Sequence, residues 1–296
     1  MRLLFRMLAR LPLPLNHALG ALVGRLVFRL SPRYRHRLLD NVRESRVVPA
    51  ADTMRLARAN AAEIGKGATE MAWALFRAED AVARVTERTG WETVERLRRE
   101  GRPILFVTPH LGSYDIAGRY LWKHLPILAM YRPHKIGWID ALLREGRNRG
   151  AAPDGTNVAP ATMAGVRMVL KHLRRGGCTV LLPDQVPGRG EGEWVEFFGR
   201  PAYTMTLAAR LVQQTGAALL LIWGERLPGG QGFVVHVLPA PEIAKEASAE
   251  DAATTINTAM ESVIRRAPGQ YMWGYHRYKE PRGLDIGAAP PGSSDS

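Results

Sequence analysis

A single cysteine, Cys178, stands in a chain of 296 residues. Without a second thiol there is no disulfide framework and no thiolate zinc site, so the fold must hold in a reducing compartment. Cys178 lies inside the apolar run CTVLLP, where a buried strand residue is expected rather than a nucleophile. Acidic residues are also scarce: 28 Asp and Glu face 41 Lys and Arg, a formal net charge of +13. That balance draws a protein to polyanions, whether nucleic acid, anionic lipid headgroups or an acidic carrier protein. Aromatic residues make up only 7% of the chain. They are not interleaved with basic residues for base stacking, and neither a zinc-finger nor an RNA-recognition spacing occurs, which sets nucleic acid aside. No G-x-S-x-G elbow, H-E-x-x-H helix or P-loop is present, so hydrolase, metalloprotease and nucleotide-kinase readings lack their key residues. His17, His36, His124, His134, His172, His236 and His276 are scattered and make no metal-ligand spacing.

A long hydrophobic run is missing too. The longest uncharged stretch near the N-terminus, Leu11 to Gly24, holds 14 residues, short of the ~20 that span a bilayer as a helix. What is there instead is amphipathic. Arg2, Arg6 and Arg10 recur every fourth residue, while Leu3, Leu4, Met7, Leu8 and Leu11 line another face, as in a helix lying in a membrane interface. Spanning, with Arg25 and Arg29 snorkelling, and a helix packed on the protein's own core are the alternatives. The basic residues continue through Arg33, Arg35 and Arg37 and suit an anionic membrane surface. No small-residue cleavage site follows.

At 46% hydrophobic, the chain is long enough for one large catalytic domain with a buried core. We expect an N-terminal membrane-associated helical segment over 1–45, a catalytic domain over 46–282 and a disordered Gly-, Pro- and Ser-rich tail over 283–296. From Asp52 to about Arg99 the composition reads as two or three helices, separated near Gly65 to Gly67 and near Gly90. Then strands alternate with helices. The strand PILFVT (103–108) precedes a helix near Ile116 to Lys123, the strand PILAMYR, a helix near Ile139 to Arg149 and a helix from Met163 to Arg174. The strand CTVLLPD follows, then a helix from Tyr203 to Thr215, the strand ALLLIWGERL and an antiparallel partner GFVVHVLP across the PGGQG turn. A last helix is expected near Ala252 to Arg266. Continuous apolar strands joined by helices imply an α/β fold, a central, mostly parallel mixed sheet covered by helices, with an antiparallel edge. Ligands in such sheets sit at the carboxyl ends of the strands.

The segment TPHLGSYD places His110 just past the first of these strands and Asp115 five residues on. On a continuous helix that offset turns about 500°, leaving the side chains roughly 140° apart. They meet only if His110 lies in the loop before a helix and Asp115 in its first turns, with Pro109 and Gly112 supplying the irregular backbone. A carboxylate on one imidazole nitrogen fixes the tautomer and leaves the other nitrogen to take a proton from a hydroxyl. The plainer reading is a loop histidine bonded to a helix-capping aspartate.

HLGSYD resembles the H-x4-D/E motif of the glycerolipid and lipid A acyltransferases. The resemblance extends, in family order, through MYRP (130–133), LRRGGCTVLLPDQVPGRGEG (173–192), FFGRPAYT (197–204), ERLPGGQGFVVHV (225–237) and QYMWGYHRYK (270–279), which are similar to the lipid A secondary acyltransferases. It implies a glycerolipid-acyltransferase-like fold and an acyl donor on acyl carrier protein. It also implies a lipid A precursor or related glycolipid as acceptor and a site at the cytoplasmic face of the inner membrane; no cofactor or metal is expected. Those enzymes usually show H-x4-E with Trp before the acid, whereas Tyr114 and Asp115 stand here. That change leaves a phospholipid or another glycolipid open as acceptor, and a membrane-binding scaffold without turnover is the rival of another class.

With His110 and Asp115 as the expected base and partner, other residues take binding roles. Gly112 belongs to the same loop. Arg132 is suited to the thioester oxyanion or a phosphate. Asp184 and Gln185 end a strand at the same face, where they position Arg132 or bond a sugar hydroxyl, or merely cap a turn. Arg200 contacts an acceptor phosphate or caps the next helix region. Phe197 and Phe198 line an acyl channel or the core. Gly188, Gly190 and Gly192 read as a flexible turn rather than a dinucleotide site.

Overall fold

A computed structural model describes residues 2–131, 137 and 158–281. The helix expected at 139–149 and the tail 283–296 lie outside the described residues. The architecture is mixed α/β, a central sheet with helices on both faces.

The run ILFV forms β2 (Ile104–Val107), buried at every position. Its side chains alternate between two cores, as a period of two requires. Leu105 and Val107 join one with Leu211, Trp223, Ile256 and Met260. Ile104 and Phe106 join the other with Trp91, Leu97, Tyr120 and Leu121. A strand covered on both faces has no place for polar alternation, which is why it reads as an apolar run.

Beside β2 on one side lies β5 (Cys178–Leu181), parallel, with Val107 opposite Leu181. On the other lies β8 (Ala218–Arg226), also parallel. The antiparallel pairing of β8 with β9 (Phe233–Pro239) occurs as expected. Yet β9 is not the edge: β1 (Val85–Thr89) adds outside it in parallel, giving the order β1-β9-β8-β2-β5. The stretch VTERT was expected within a helical region. Its β-branched Val85, Thr86 and Thr89 favour an exposed edge strand, and a composition averaged over neighbouring helices hides so short an element.

Two further expectations are corrected. Of the strand expected at 126–132, Ile127 forms a single bridge to Cys178 of β5, and β3 (Ala129–Tyr131) then pairs with β4 (Val158–Pro160) instead of the main sheet. The helix expected from Tyr203 starts later, at Leu207, because Tyr203 and Thr204 complete β7 (Arg200–Met205), the antiparallel partner of β6 (Gly192–Phe197). Phe198 and Gly199, at φ 52° and 71°, close that two-residue hairpin with the positive dihedrals its twist demands.

Before β1 the chain is helical: α1 (Arg2–Arg10), α2 (Leu13–Leu30), α3 (Pro32–Ser45), α4 (Thr53–Phe76) and the short α5 (Ala78–Ala83). The break expected near Gly65 to Gly67 is absent, and α4 runs through both glycines. Tertiary packing explains this. A Cβ on Gly65 would lie 2.0 Å from Gly20 O, and one on Gly24 would lie 1.9 Å from Ala61 O, so these glycines let two helix backbones touch. Asn16 Nδ2 donates to Thr69 O at 3.3 Å, and Thr69 Oγ1 returns a bond to Asn16 O at 3.1 Å.

The opposite face of α2 is apolar and uncovered: Leu15, Leu19, Leu22, Val23, Leu26, Val27 and Leu30 are all exposed. Among the described residues no helix is long and apolar enough to cross a membrane. The remaining helices are α6 (Trp91–Arg99), α7 (Tyr114–His124), α8 (Met163–Arg174), α9 (Leu207–Thr215) and α10 (Ala249–Ile264).

After α10 the aromatic stretch returns across the molecule as a strap. Buried Asn60 donates to Gly269 O and Tyr271 O, and buried Asn41 to Trp273 O and Tyr275 O. The strap in turn holds the loop after β2, with Met272 N donating to His110 O at 3.1 Å and Gly112 N to Gln270 O at 3.1 Å.

Candidate active site

Strand register builds the site. The ladder between β2 and β5 continues one step beyond Val107 and Leu181, through Thr108 N donating to Leu181 O at 3.1 Å. Three residues past each of those partners come His110 and Asp184. Parallel strands in register therefore deliver both side chains to the same carboxyl end, where this class of sheet places its ligands.

His110 Nδ1 lies 2.7 Å from Asp184 Oδ1, and the His110 backbone N–H donates to Asp184 Oδ2 at 2.8 Å. Both carboxylate oxygens are thus engaged by one residue, which fixes the ring as well as its tautomer. Because Asp184 takes the Nδ1 proton, Nε2 carries the lone pair of the neutral ring. Gln185 sets its amide nitrogen 3.2 Å from that Nε2. Asp184 is almost fully buried, with its side chain 3% exposed. Burial opposes its charge, but His110, and Arg277 further off, hold the carboxyl below its usual range. Burial likewise works against a charged His110, and Asp184 and then Asp115 overcome it, raising the imidazole above its ordinary value.

His110 does lie in the loop before a helix and Asp115 in the first turn of α7, the arrangement that the spacing of five required. The carboxylate that bonds the ring, however, is Asp184 in place of the expected Asp115. Asp115 acts on His110 through its charge. The reason is geometric: register brings Asp184 to Nδ1, while Asp115 stands on the first turn of α7. Local spacing around His110 holds no sign of this. The available signal is that HLGS and DQVP both follow apolar strands at the same offset.

Gly112 has φ 60°, and a Cβ there would lie 2.1 Å from Gly224 O, so only glycine lets the loop lie against β8. Arg132 lies outside the described residues. Arg200 opens β7, where it pairs with Asp40 at 3.4 Å and sits over the Tyr278 ring. Phe197 and Phe198 are buried, edge to face. Cys178 is buried in β5, which pushes its thiol up. Among the described residues no group of His, Cys, Asp and Glu is placed to hold a metal ion.

A cavity of about 160 Å³ opens beside the loop. His110, Tyr114 and Asp115 line one side, and Ile64, Glu70 and Met71 of α4, with Arg226, line another. Nothing in the local pattern of the sequence singled out Glu70 or Arg226, which stand 156 positions apart.

A histidine held in one tautomer by a buried carboxylate, at the carboxyl end of a parallel sheet and lining a cavity, is suited to general acid–base chemistry. The sequence profile of the bacterial lipid A biosynthesis acyltransferases matches residues 2–280. The chain belongs to that family and is an acyltransferase. It is 28% identical over 284 residues to the lipid A biosynthesis lauroyltransferase of Escherichia coli K12, covering 94% of this chain and 90% of the relative. With the palmitoleoyltransferase of the same organism it shares 27% over 212 residues, 71% of this chain and 66% of the relative. With its myristoyltransferase it shares 24% over 192 residues, 62% and 56% of the respective lengths.

Proposed function

We propose that this protein transfers a fatty acyl group from acyl carrier protein to a hydroxyl of a lipid A precursor or a related glycolipid, with His110 as general base. The observation that carries this reading is the hydrogen bond from His110 Nδ1 to buried Asp184, which leaves Nε2 as the basic atom of the neutral ring. The acceptor hydroxyl takes the place of the Gln185 amide at Nε2 and loses its proton there. Its oxygen attacks the thioester carbonyl, the tetrahedral oxyanion collapses and the thiolate leaves, taking back the proton from His110. Asp184 offsets the imidazolium charge as it forms, and Asp115 adds to that field. The Gln185 amide, already beside the reacting atoms, is a suitable donor for the oxyanion.

The acceptor is lipid-borne, and the exposed apolar face of α2 provides a way to reach it. Arg25, Arg29 and Arg33 are exposed on or next to that helix, so an apolar face with basic flanks suits the anionic cytoplasmic face of the inner membrane. The net charge of +13 also favours an acidic carrier protein as donor. The lipid A names of the relatives support the acceptor class.

The test is acyl transfer from labelled acyl carrier protein to a lipid A precursor, a lysophospholipid and a total membrane lipid extract, with wild type beside His110→Ala. Label in the lipid A precursor that disappears in the variant supports the proposal. Label in the lysophospholipid alone replaces the acceptor, and equal transfer by His110→Ala removes the base.

A further inference from the structure

Across the cavity from His110, and bonded to the loop that carries it, lies a buried ionic cluster. Arg226 of β8 forks onto Glu70 of α4, with Nε 2.5 Å from Oε1 and Nη2 2.7 Å from Oε2. Its Nη1 reaches Glu63 Oε2 at 2.8 Å. The side chains of Arg226 and Glu70 are 1% and 4% exposed. From α2, His17 sets Nε2 2.5 Å from Glu70 Oε1. Burial opposes the charge on Glu70, yet Arg226 and His17 hold its carboxyl well below the usual range.

Ser113 is the point where this cluster meets the loop. It immediately precedes α7, the position at which a serine hydroxyl ordinarily accepts a bond from the helix's first N–H groups. It makes no such bond; its Oγ turns away and donates to Glu70 Oε2 at 2.6 Å. The backbone is held as well. Ser113 N donates to Gly224 O at 2.7 Å and Gly112 N to Gln270 O at 3.1 Å. The Gln270 side chain brackets Arg226, accepting from its N at 2.9 Å and donating to its O at 3.0 Å. Arg226 thus grips the loop twice, through Glu70 to Ser113 and through Gln270 to Gly112.

We propose that Glu70 and Arg226 are positioning residues for the transfer reaction, fixing Ser113 and Gly112 and thereby the placement of His110 and Asp115 against the substrates. The inference rests on the reading of His110 as the base. A buried ion pair is a poor device for stability alone, since apolar replacements of similar shape often serve as well. What apolar side chains cannot do is hold a serine hydroxyl in one direction while bracing the loop between a sheet strand and two helices.

The experiment compares the full chain, in detergent, as wild type, Ser113→Ala, Ser113→Thr, Glu70→Gln and His110→Ala. It reads kcat, KM for donor and acceptor, and the melting temperature. For Ser113→Ala, which leaves the ion pair intact, the expected result is a fall of about 10- to 100-fold in kcat, the scale of a small misplacement of reacting groups. Both KM values should stay within about twofold and melting should be unchanged. Ser113→Thr, which keeps the hydroxyl, should recover most of the rate, and Glu70→Gln should lose at least as much as Ser113→Ala. Wild-type kcat in Ser113→Ala overturns the proposal, as does a fall in kcat matched by lower melting, or a loss that appears only in KM. Full turnover by His110→Ala would show instead that the base assignment had failed, whatever the serine variants do.

Discussion

His110 and Asp184 are 74 positions apart in the chain and 2.7 Å apart in space, joined by a bond from the ring and another from the backbone of the same residue. Each follows its strand by three residues, and the strands are parallel and in register. The couple is thus a product of sheet geometry, and it makes Asp184 rather than Asp115 the orienting carboxylate.

Replacing the base should be the largest single loss. His110→Ala is expected to lower kcat by about 10²- to 10⁴-fold, with binding to lipid vesicles unchanged. Steady-state transfer and vesicle sedimentation, run on the same preparations, check both halves.

The two aspartates should separate by pH. In the proposed mechanism the base works as neutral imidazole, and because the imidazole is raised above its ordinary value the acid limb of kcat/KM is expected above 6.5. Asp184→Asn removes the strongest stabiliser of the imidazolium, so the limb should move to lower pH while the plateau falls by about 10²-fold or more. Asp115→Asn should move the limb in the same direction by less. An equal or larger shift for Asp115→Asn would exchange their roles.

Gln185→Ala should lower kcat by about 10- to 10³-fold, as loss of one oxyanion donor does, and leave KM for the acceptor nearly constant. A fall in acceptor KM with kcat retained would mean that the amide only competes with the hydroxyl for Nε2.

Leu19→Glu with Leu22→Glu and Leu26→Glu places three charges on the exposed face of α2. Recovery with anionic vesicles should fall at least tenfold, because each buried carboxylate is strongly disfavoured in a bilayer interface. Transfer to a detergent-dispersed acceptor should persist, and melting should move little because all three side chains are exposed and outside the core.

Gly65→Ala forces a methyl group against the backbone of α2. Overpacking of this kind costs about 1–3 kcal/mol, read as a lower denaturation midpoint. An unchanged midpoint would mean that the two helices part without cost.

Much was legible in the order of residues. Apolar runs bounded by proline and glycine located β2, β5, β8 and β9, since strands covered on both faces must be continuously apolar. The glycine pair at 176 and 177 and the apolar period before it bound the helix at Met163–Arg174. The motif around His110 marked the loop and the helix that follows it, and the blocks shared with acyltransferases pointed to the family. Each of these signals is local, a matter of periodicity, turn chemistry or a short motif, and needs no knowledge of neighbours in space.

What tertiary structure alone decided is the pairing of elements distant in sequence. Composition marked Gly65 as a helix break, yet α4 continues through it because Gly20 approaches from another helix. Asp115 was the carboxylate nearest His110 in sequence, but parallel register brought Asp184 to the ring. No spacing rule linked Glu70, Arg226 and Ser113, which meet only where a helix, a strand and a loop converge. Sequence encodes strongly what each segment does by itself, because backbone propensity and hydrophobic period act over a few residues. Which buried charge meets which is decided by sheet order and helix packing, where desolvation leaves no ionised group stable without its partner.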